Sequence, residues 1–367
     1  MGKPEHKDTA KVKILDYILR GSDTSKVELT KALELSAPTV LSIVNDLVDA
    51  GVIMEIGEYE STRGRKAKSL GINKQFKYAV GVNITSNHIG MVLLNLGSEI
   101  VKFERKRLTF STGIDYFKQF SREVEQFIEG FEKPEDILGV GIALPGIIDR
   151  EKRVLLKSHV LQLENYSLGL LEQVLPYPVH FENDANAAML AENLSEDQDI
   201  IYLSLNDTVG GGIYMNGSLF EGRHHKAGEF GHIILIPDGR KCYCGKTGCS
   251  DAYCSALCLT ERTKLSLEKF KEQLDLKDPA AVRIWEEYLE YLAMLISNLR
   301  MAFDTDIILG GDVGGILKEH ILSLGEKLFQ YNLFDNDLSY LKTCRYQKEA
   351  AAVGAARYFF SEFIHSI

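Results

Sequence analysis

The sequence predicts an α/β chain of three units: an N-terminal winged helix-turn-helix, then two α/β halves related by duplication around a cleft. Three observations carry that expectation. Apolar residues recur at helical spacing in three short segments before residue 51 and give way to a strand pattern after it. Beyond residue 75 a run of three strands occurs twice, at 78–103 and again at 200–220, and Asn95-Leu96-Gly97-Ser98 stands 120 residues ahead of Met215-Asn216-Gly217-Ser218 as a turn of similar type. Finally, 367 residues exceed what one hydrophobic core usually organises. The expected units are 1–72, 73–192 and 193–367.

The first unit is read from its caps. Val12, Ile14, Leu15, Ile18 and Leu19 give a helix over 9–20 that stops at Gly21. Ser25, with Glu28 three residues on, is a capping-box pattern opening a short second helix through Val27, Leu29, Ala32 and Leu33. Ser36 caps a third, with Pro38 tolerated in its first turn and Val40, Ile43, Val44, Leu47 and Val48 facing inward before Gly51. Residues 52–57 read as a strand, and polar 58–68 as a wing returning to 69–72. The two α/β halves open with strands at 78–84, 90–96 and 99–103, an amphipathic helix at 116–128 and a strand at 139–144; strands at 200–205, 211–215 and 218–220 repeat the start.

Composition narrows the function classes. Hydrophobic residues at 45% and charged residues at 26% exclude a wholly disordered, collagenous or coiled-coil chain. No run of about 18 apolar residues occurs, and the first residues are too charged for a signal peptide, so a cytoplasmic protein without membrane contact is expected. A net charge of −10 argues against general nucleic-acid affinity, yet the charge is uneven. Residues 1–70 hold eleven Lys or Arg and eleven Asp or Glu, so the whole deficit belongs to the remainder. DNA contact therefore falls to the first unit. Its third helix carries no Lys or Arg but offers Thr39, Ser42 and Asn45 for base edges. Phosphate attraction falls to Lys26, Lys31 and the basic cluster of Arg63, Arg65, Lys66 and Lys68. A three-helix packing module without DNA is the alternative.

Two segments carry chemistry. Glu182-Asn183-Asp184-Ala185-Asn186 ends a strand and opens a helix, which stands Asp184 at a cleft-facing junction where a carboxylate accepts from a sugar hydroxyl or takes its proton during phosphoryl transfer. Simple capping of the helix by Asn183 and Asp184 is the competing reading. Farther on, His232 precedes Cys242-Tyr243-Cys244-Gly245-Lys246-Thr247-Gly248-Cys249, which supplies one imidazole and three thiolates for tetrahedral zinc, the two glycines letting the loop turn tightly. A closed four-ligand set is structural and leaves no position for water, which excludes a zinc hydrolase.

The order of these segments resembles the ROK family of repressors, open reading frames and sugar kinases, specifically its repressor branch, whose C-terminal module has the duplicated architecture of sugar kinases and actin-like ATPases. Winged helix, Gly64-Arg65 turn, Asn-Asp-Ala-Asn segment, Glu-x-Gly-His segment and cysteine loop occur in family order over nearly the whole chain. The resemblance implies sugar contacts from Asn183, Asp184, Glu229 and His232, the last also a ligand of structural zinc with Cys242, Cys244 and Cys249. The family usually has Glu where this chain has Asp251, a sugar ligand one methylene shorter. Pro145-Gly146 matches a turn at the cleft edge, or is a plain turn.

Kinases of the family need an Asp-x-Gly-Gly-Thr-like turn after the first strand, because glycines admit phosphate to backbone amides and the acid helps hold magnesium. Here the stretch is Asn83-Ile84-Thr85-Ser86-Asn87, with neither acid nor glycine. Gly210-Gly211-Gly212 and Gly310-Gly311 resemble the second phosphate turn and the adenosine motif, or are scaffolding for tight turns. The expectation is thus a sugar-responsive transcriptional regulator, a repressor that is not an enzyme. It binds operator DNA as a homodimer, alone or paired into a tetramer, and senses a monosaccharide or sugar phosphate in a former kinase cleft. Arg63 and Arg65 are expected in a minor groove. The alternative is an ATP-dependent sugar kinase with Asp184 as base.

Overall fold

The computed structural model describes residues 4–19, 24–59, 67–192, 194–195 and 197–367. Helices α1 (Pro4–Leu19), α2 (Lys26–Ala32) and α3 (Ala37–Asp49) precede the antiparallel pair β1 (Ile53–Tyr59) and β2 (Ala67–Ile72), the expected winged helix-turn-helix. The caps form as the sequence predicts: Ser25 accepts from the Glu28 amide at 3.2 Å and Ser36 from the Thr39 amide at 3.3 Å. Val40, Ile43, Val44 and Leu47 face inward from α3.

The first α/β half comprises β3 (Tyr78–Ile84), β4 (His88–Asn95), β5 (Ile100–Arg107), α4 (Ile114–Ile128) and β6 (Ile137–Leu144). A three-stranded sheet of β7 (Ile147–Asp149), β8 (Val154–Ser158) and β9 (Leu163–Ser167) is inserted before α5 (Gly169–Gln173), β10 (Val179–Asn183) and α6 (Asp184–Leu190). The second half runs through β11 (Ile200–Leu205), β12 (Val209–Met215), β13 (Ser218–Leu219), α7 (Asp251–Cys254), α8 (Leu257–Thr263), α9 (Leu267–Asp275), α10 (Pro279–Phe303), β14 (Asp306–Gly310), α11 (Gly311–Tyr331), β15 (Leu341–Thr343) and α12 (Ala350–Ser366).

The duplication is explicit in the sheets. One is ordered β10-β6-β3-β4-β5 and the other β15-β14-β11-β12-β13. In both, the first strand pairs antiparallel with the second and parallel with the fourth, so every pairing of one sheet has its counterpart. The turn 96–99 between β4 and β5 corresponds to 216–217 between β12 and β13, as the sequence spacing suggested.

The closing helix α12 does not stay with the strands that precede it. It crosses to the sheet of the first half, where Gly81 on β3 and Gly141 on β6 admit its backbone: a Cβ at either position would lie 1.8 Å from the Ala352 oxygen or 2.0 Å from the Ala355 oxygen. In return α6 lies on the second sheet, its Ala185 and Met189 against Gly210 and Gly212. Helices α6 and α12 then meet at Gly354, where an added Cβ would stand 1.6 Å from the Ala187 oxygen.

The outer face of α12 completes the core of the DNA-binding unit. Val353, Ala356, Phe359, Phe360 and Ile364 bury with Ile14, Leu15 and Ile18 of α1 in one continuous cluster. Lys11 on α1 also donates to the Ile367 oxygen at the end of the chain. One helix therefore packs on three things: the head, the first sheet and α6. Gly354→Ala must push α6 and α12 apart, and a loss of roughly 1–3 kcal/mol, the usual range for overpacking, is expected from urea denaturation. An unchanged midpoint would contradict the close approach.

Candidate functional site

The cleft between the halves has a volume of about 330 Å³, within the range of small-ligand sites. At its floor β10 passes into α6. Asn183 caps that helix, accepting from the Ala185 and Asn186 amides at 2.9 Å each, and its amide donates to the Gly146 oxygen at 2.9 Å. The capping role weighed from sequence is thus real for Asn183, and it also ties α6 to the Pro145-Gly146 turn. Asp184 accepts from the Ala185 amide at 2.9 Å. Burial pushes its carboxyl up to about 6, with the Ala185 amide pulling the other way. Burial and then the charge of Asp184 also raise the carboxyl of Glu229, which faces it across the cleft.

His232 has its two ring nitrogens in different surroundings. Nδ1 lies 3.8 Å from Cys242 Sγ, while Nε2 faces Tyr243 Oη at 3.4 Å and Glu229 at 4.0 Å on the cleft side. The four expected metal donors, His232, Cys242, Cys244 and Cys249, lie within 4.8 Å of one another, and Cys244 and Cys249 are 3.8 Å apart at sulfur. A tetrahedron with zinc–sulfur bonds of about 2.3 Å has edges of about 3.8 Å, so the donor set fits zinc in spacing as well as chemistry. The loop needs Gly248 at φ +79°, where a Cβ would be 1.9 Å from the Ile236 oxygen.

Asp251, expected among the sugar contacts, is turned away from the cleft. Its carboxylate accepts from the Val209 amide at 2.7 Å and is buried. With its shorter side chain it ties the segment after Cys249 to the start of the glycine strand β12, so its support of the cleft is indirect.

Residues that sequence reasoning passed over complete the walls. His159, in the turn between β8 and β9, packs its ring against His232 and Tyr243 at centroid distances of 5.8 and 5.9 Å, so the first half reaches across to the metal loop. Glu221 and His225 line the opposite wall; Glu221 pairs with Arg150, which also holds Glu182 at 2.8 Å. His225 stands at φ +54°, a conformation a non-glycine residue holds only when its surroundings demand it. The pair precedes Glu229 in the same loop and was legible there; His159 has no local signal.

On the DNA-binding unit, α3 exposes Ser42 and Asn45, with Thr39 half-buried and bonded to Ser36 at 2.7 Å. Asn45 accepts from Lys26 at 2.7 Å, which brings a cation from α2 to the polar face of α3. Leu41, half exposed beside them, offers an apolar contact. Arg63, Arg65 and Lys66 lie outside the described residues. For the metal loop, Cys244→Ser is expected to purify with less than one tenth of a zinc per chain and a lower thermal midpoint; one zinc per chain in the variant by elemental analysis would refute the ligand set.

A family model described as the ROK family matches residues 79–361, and one described as a winged helix-turn-helix DNA-binding unit matches residues 7–54. The chain is 27% identical over 312 residues to the xylose repressor of Bacillus subtilis (strain 168), spanning 81% of this chain and 80% of that one. It is 26% identical over 261 residues to the N-acetylglucosamine repressor of Escherichia coli O157:H7, spanning 69% and 64%. Among solved structures, a ROK family transcriptional regulator described as a homolog of the E. coli MLC protein superposes with a TM-score of 0.75 at 23% identity over 98% of this chain and 97% of that one. A ROK family glucokinase from Streptomyces griseus in complex with glucose and AMPPNP gives 0.65 at 24% over 77% and 98%. The glucokinase shares the two α/β halves and the regulator the whole chain, as fold. With a family model covering residues 79–361 behind a helix-turn-helix, this chain belongs to the ROK family.

Proposed function

We propose that the protein is a sugar-responsive transcriptional repressor that binds operator DNA through α3 and its wing and releases it when a sugar fills the cleft. The observation that carries this reading is the placement of α12. It shares a core with α1 of the DNA-binding unit on one face and clamps the helix that begins at Asp184 on the other. The relatives named xylose repressor and N-acetylglucosamine repressor support it, as does the absence of acid and glycine in Asn83-Ile84-Thr85-Ser86-Asn87. Zinc is held by His232, Cys242, Cys244 and Cys249 as a structural ion, which fixes the loop bearing Glu229. A homodimer on an inverted repeat in the cytoplasm is the expected assembly; no helix among the described residues is long and apolar enough to cross a membrane.

The clamp has a specific fastening. Arg357 on α12 donates from Nη1 to the Leu190, Ala191 and Glu192 oxygens at 3.2, 2.7 and 3.2 Å, closing the C-terminal end of α6 with a fixed positive charge. Sugar bound at the N-terminal end of α6 thus acts on a short helix whose other end is pinned to α12, and α12 carries the head. A ligand shifts that arrangement only by its differential affinity for the two states.

Selection of operator fragments from random DNA, followed by retardation with and without sugars, tests the reading directly. Wild type should bind a selected inverted repeat and lose at least tenfold in affinity on adding its sugar. Arg357→Gln should keep the two separate affinities within about threefold while losing most of that response, because a coupling of about 1.4 kcal/mol is tenfold. Failure to select any DNA, or a full response in the variant, counts against the proposal. Acidity gives a second check. Asp184 accepts hydroxyls as the carboxylate, and it protonates as pH falls through about 6, so sugar affinity should decline several-fold from pH 7.5 to pH 5. A profile equally flat in wild type and Asp184→Asn would remove Asp184 from the sugar site.

A further inference from the structure

Asp184 is not the end of the cleft. A second compartment of about 240 Å³ opens beyond it, and Pro145, Asp184, Ser204, Asn206 and Thr208 border both spaces, so the two form one continuous channel. The second compartment is bordered by Thr208 and Gly311, on the turns that resemble the phosphate and adenosine motifs of the family's kinases, yet its local chemistry is not suited to phosphate. The turn after β3 closes on itself, Thr85 donating its amide to the His88 oxygen at 2.9 Å, and none of residues 83–88 adopts the left-handed backbone that makes a nest of amides. The amide of Gln347 lies against Gly315 in the first turns of α11, where a Cβ would come within 2.5 Å of it.

Charge points the same way. Asp207 and Asp312 face the compartment together with Arg105, and Lys348 is engaged by Glu268 at 2.9 Å. Burial and the neighbouring Arg105 and Arg107 lower the pKa of His88, so it adds no cation near neutral pH. A phosphate entering here meets carboxylates without a surplus of positive charge to repay them.

What the compartment does offer is unused hydrogen bonding. Tyr202 is wholly buried, and its hydroxyl, packed on Gly310 with the Gly311 amide beside its oxygen, finds no acceptor for its proton; the buried Oδ1 of Asn83 has no partner either. Both residues border the compartment. An orphan donor and an orphan acceptor at one polar cavity are what a ligand hydroxyl, which both gives and accepts, would satisfy.

We infer that the effector is a neutral disaccharide, its first ring on Asp184 and Glu229 and its second ring in this compartment, held by Tyr202 and Asn83. The inference rests on the sugar-sensing reading and narrows its ligand class. Because Asp184 stands at the seam, the linkage leaves the first ring through the oxygen nearest that carboxyl.

Calorimetry on the full-length, zinc-loaded protein separates the cases. Maltose, cellobiose, lactose, melibiose and gentiobiose are titrated beside their constituent hexoses and the corresponding hexose 6-phosphates. At least one disaccharide should bind tenfold or more tightly than either of its rings alone. Tyr202→Phe, which keeps the buried ring, should weaken that disaccharide about fivefold and leave the single ring unchanged; Asn83→Ala should do the same. Single hexoses binding as tightly as every disaccharide, or a 6-phosphate binding tighter than both, overturns the inference while leaving a sugar sensor. No binding by any sugar would instead remove the sugar-sensing reading itself.

Discussion

The whole molecule turns on backbone-to-backbone contact between α12 and the elements it crosses. At Gly81, Gly141 and Gly354 the separations are so short that a single methyl group would overlap a carbonyl oxygen. Contacts this close leave no room for α12 to slide independently of β3, β6 or α6, since packed interiors respond to displacement by moving neighbours rather than by compressing. The same helix closes the core of the DNA-binding unit, so the head has no hydrophobic core wholly its own. Cleft, α12 and head are consequently parts of one packing problem.

Under the sugar-sensing proposal, the cleft presents carboxylates to hydroxyls and lacks a glycine turn after β3 to receive phosphate. Asp184 and Glu229 both line that cleft, and desolvation raises both carboxyls. The cysteine loop brings Cys242 Sγ to Nδ1 of His232 at 3.8 Å, while Nε2 faces Tyr243, so a metal held there would leave Nε2 toward the cleft. His159 from the opposite half packs against the same imidazole, so this is the place where closure of the two halves would be felt. Beyond Asp184 the second compartment has polar walls on which Arg105 and Lys348 are matched by Asp207 and Asp312.

Much of this was legible in the sequence where the signal is local. Serine caps three residues ahead of their bonded amides marked the helix-turn-helix, the Cys-x-Cys-x4-Cys spacing pointed to thiols that the fold gathers with His232 into one cluster, and Asn183-Asp184 at a strand end pointed to a junction that lines the cleft. What escaped was non-local. The β7–β9 insertion that delivers His159 to His232, and the crossing of α12 to the other half, depend on contacts tens to hundreds of residues apart that no periodicity encodes. Asp251 shows a limit of motif reasoning: its place in the motif suggested a sugar ligand, and the motif carries no sign that its carboxylate accepts from the Val209 amide.

Hydrogen–deuterium exchange on the full chain, with and without saturating sugar, tests the coupling most directly, because amide protection reports opening in each element separately. If α12 transmits the signal, sugar alters exchange in α6, in α12 and in α1 of the DNA-binding unit. A change confined to the cleft loops, with α12 and α1 unaffected, would contradict the account.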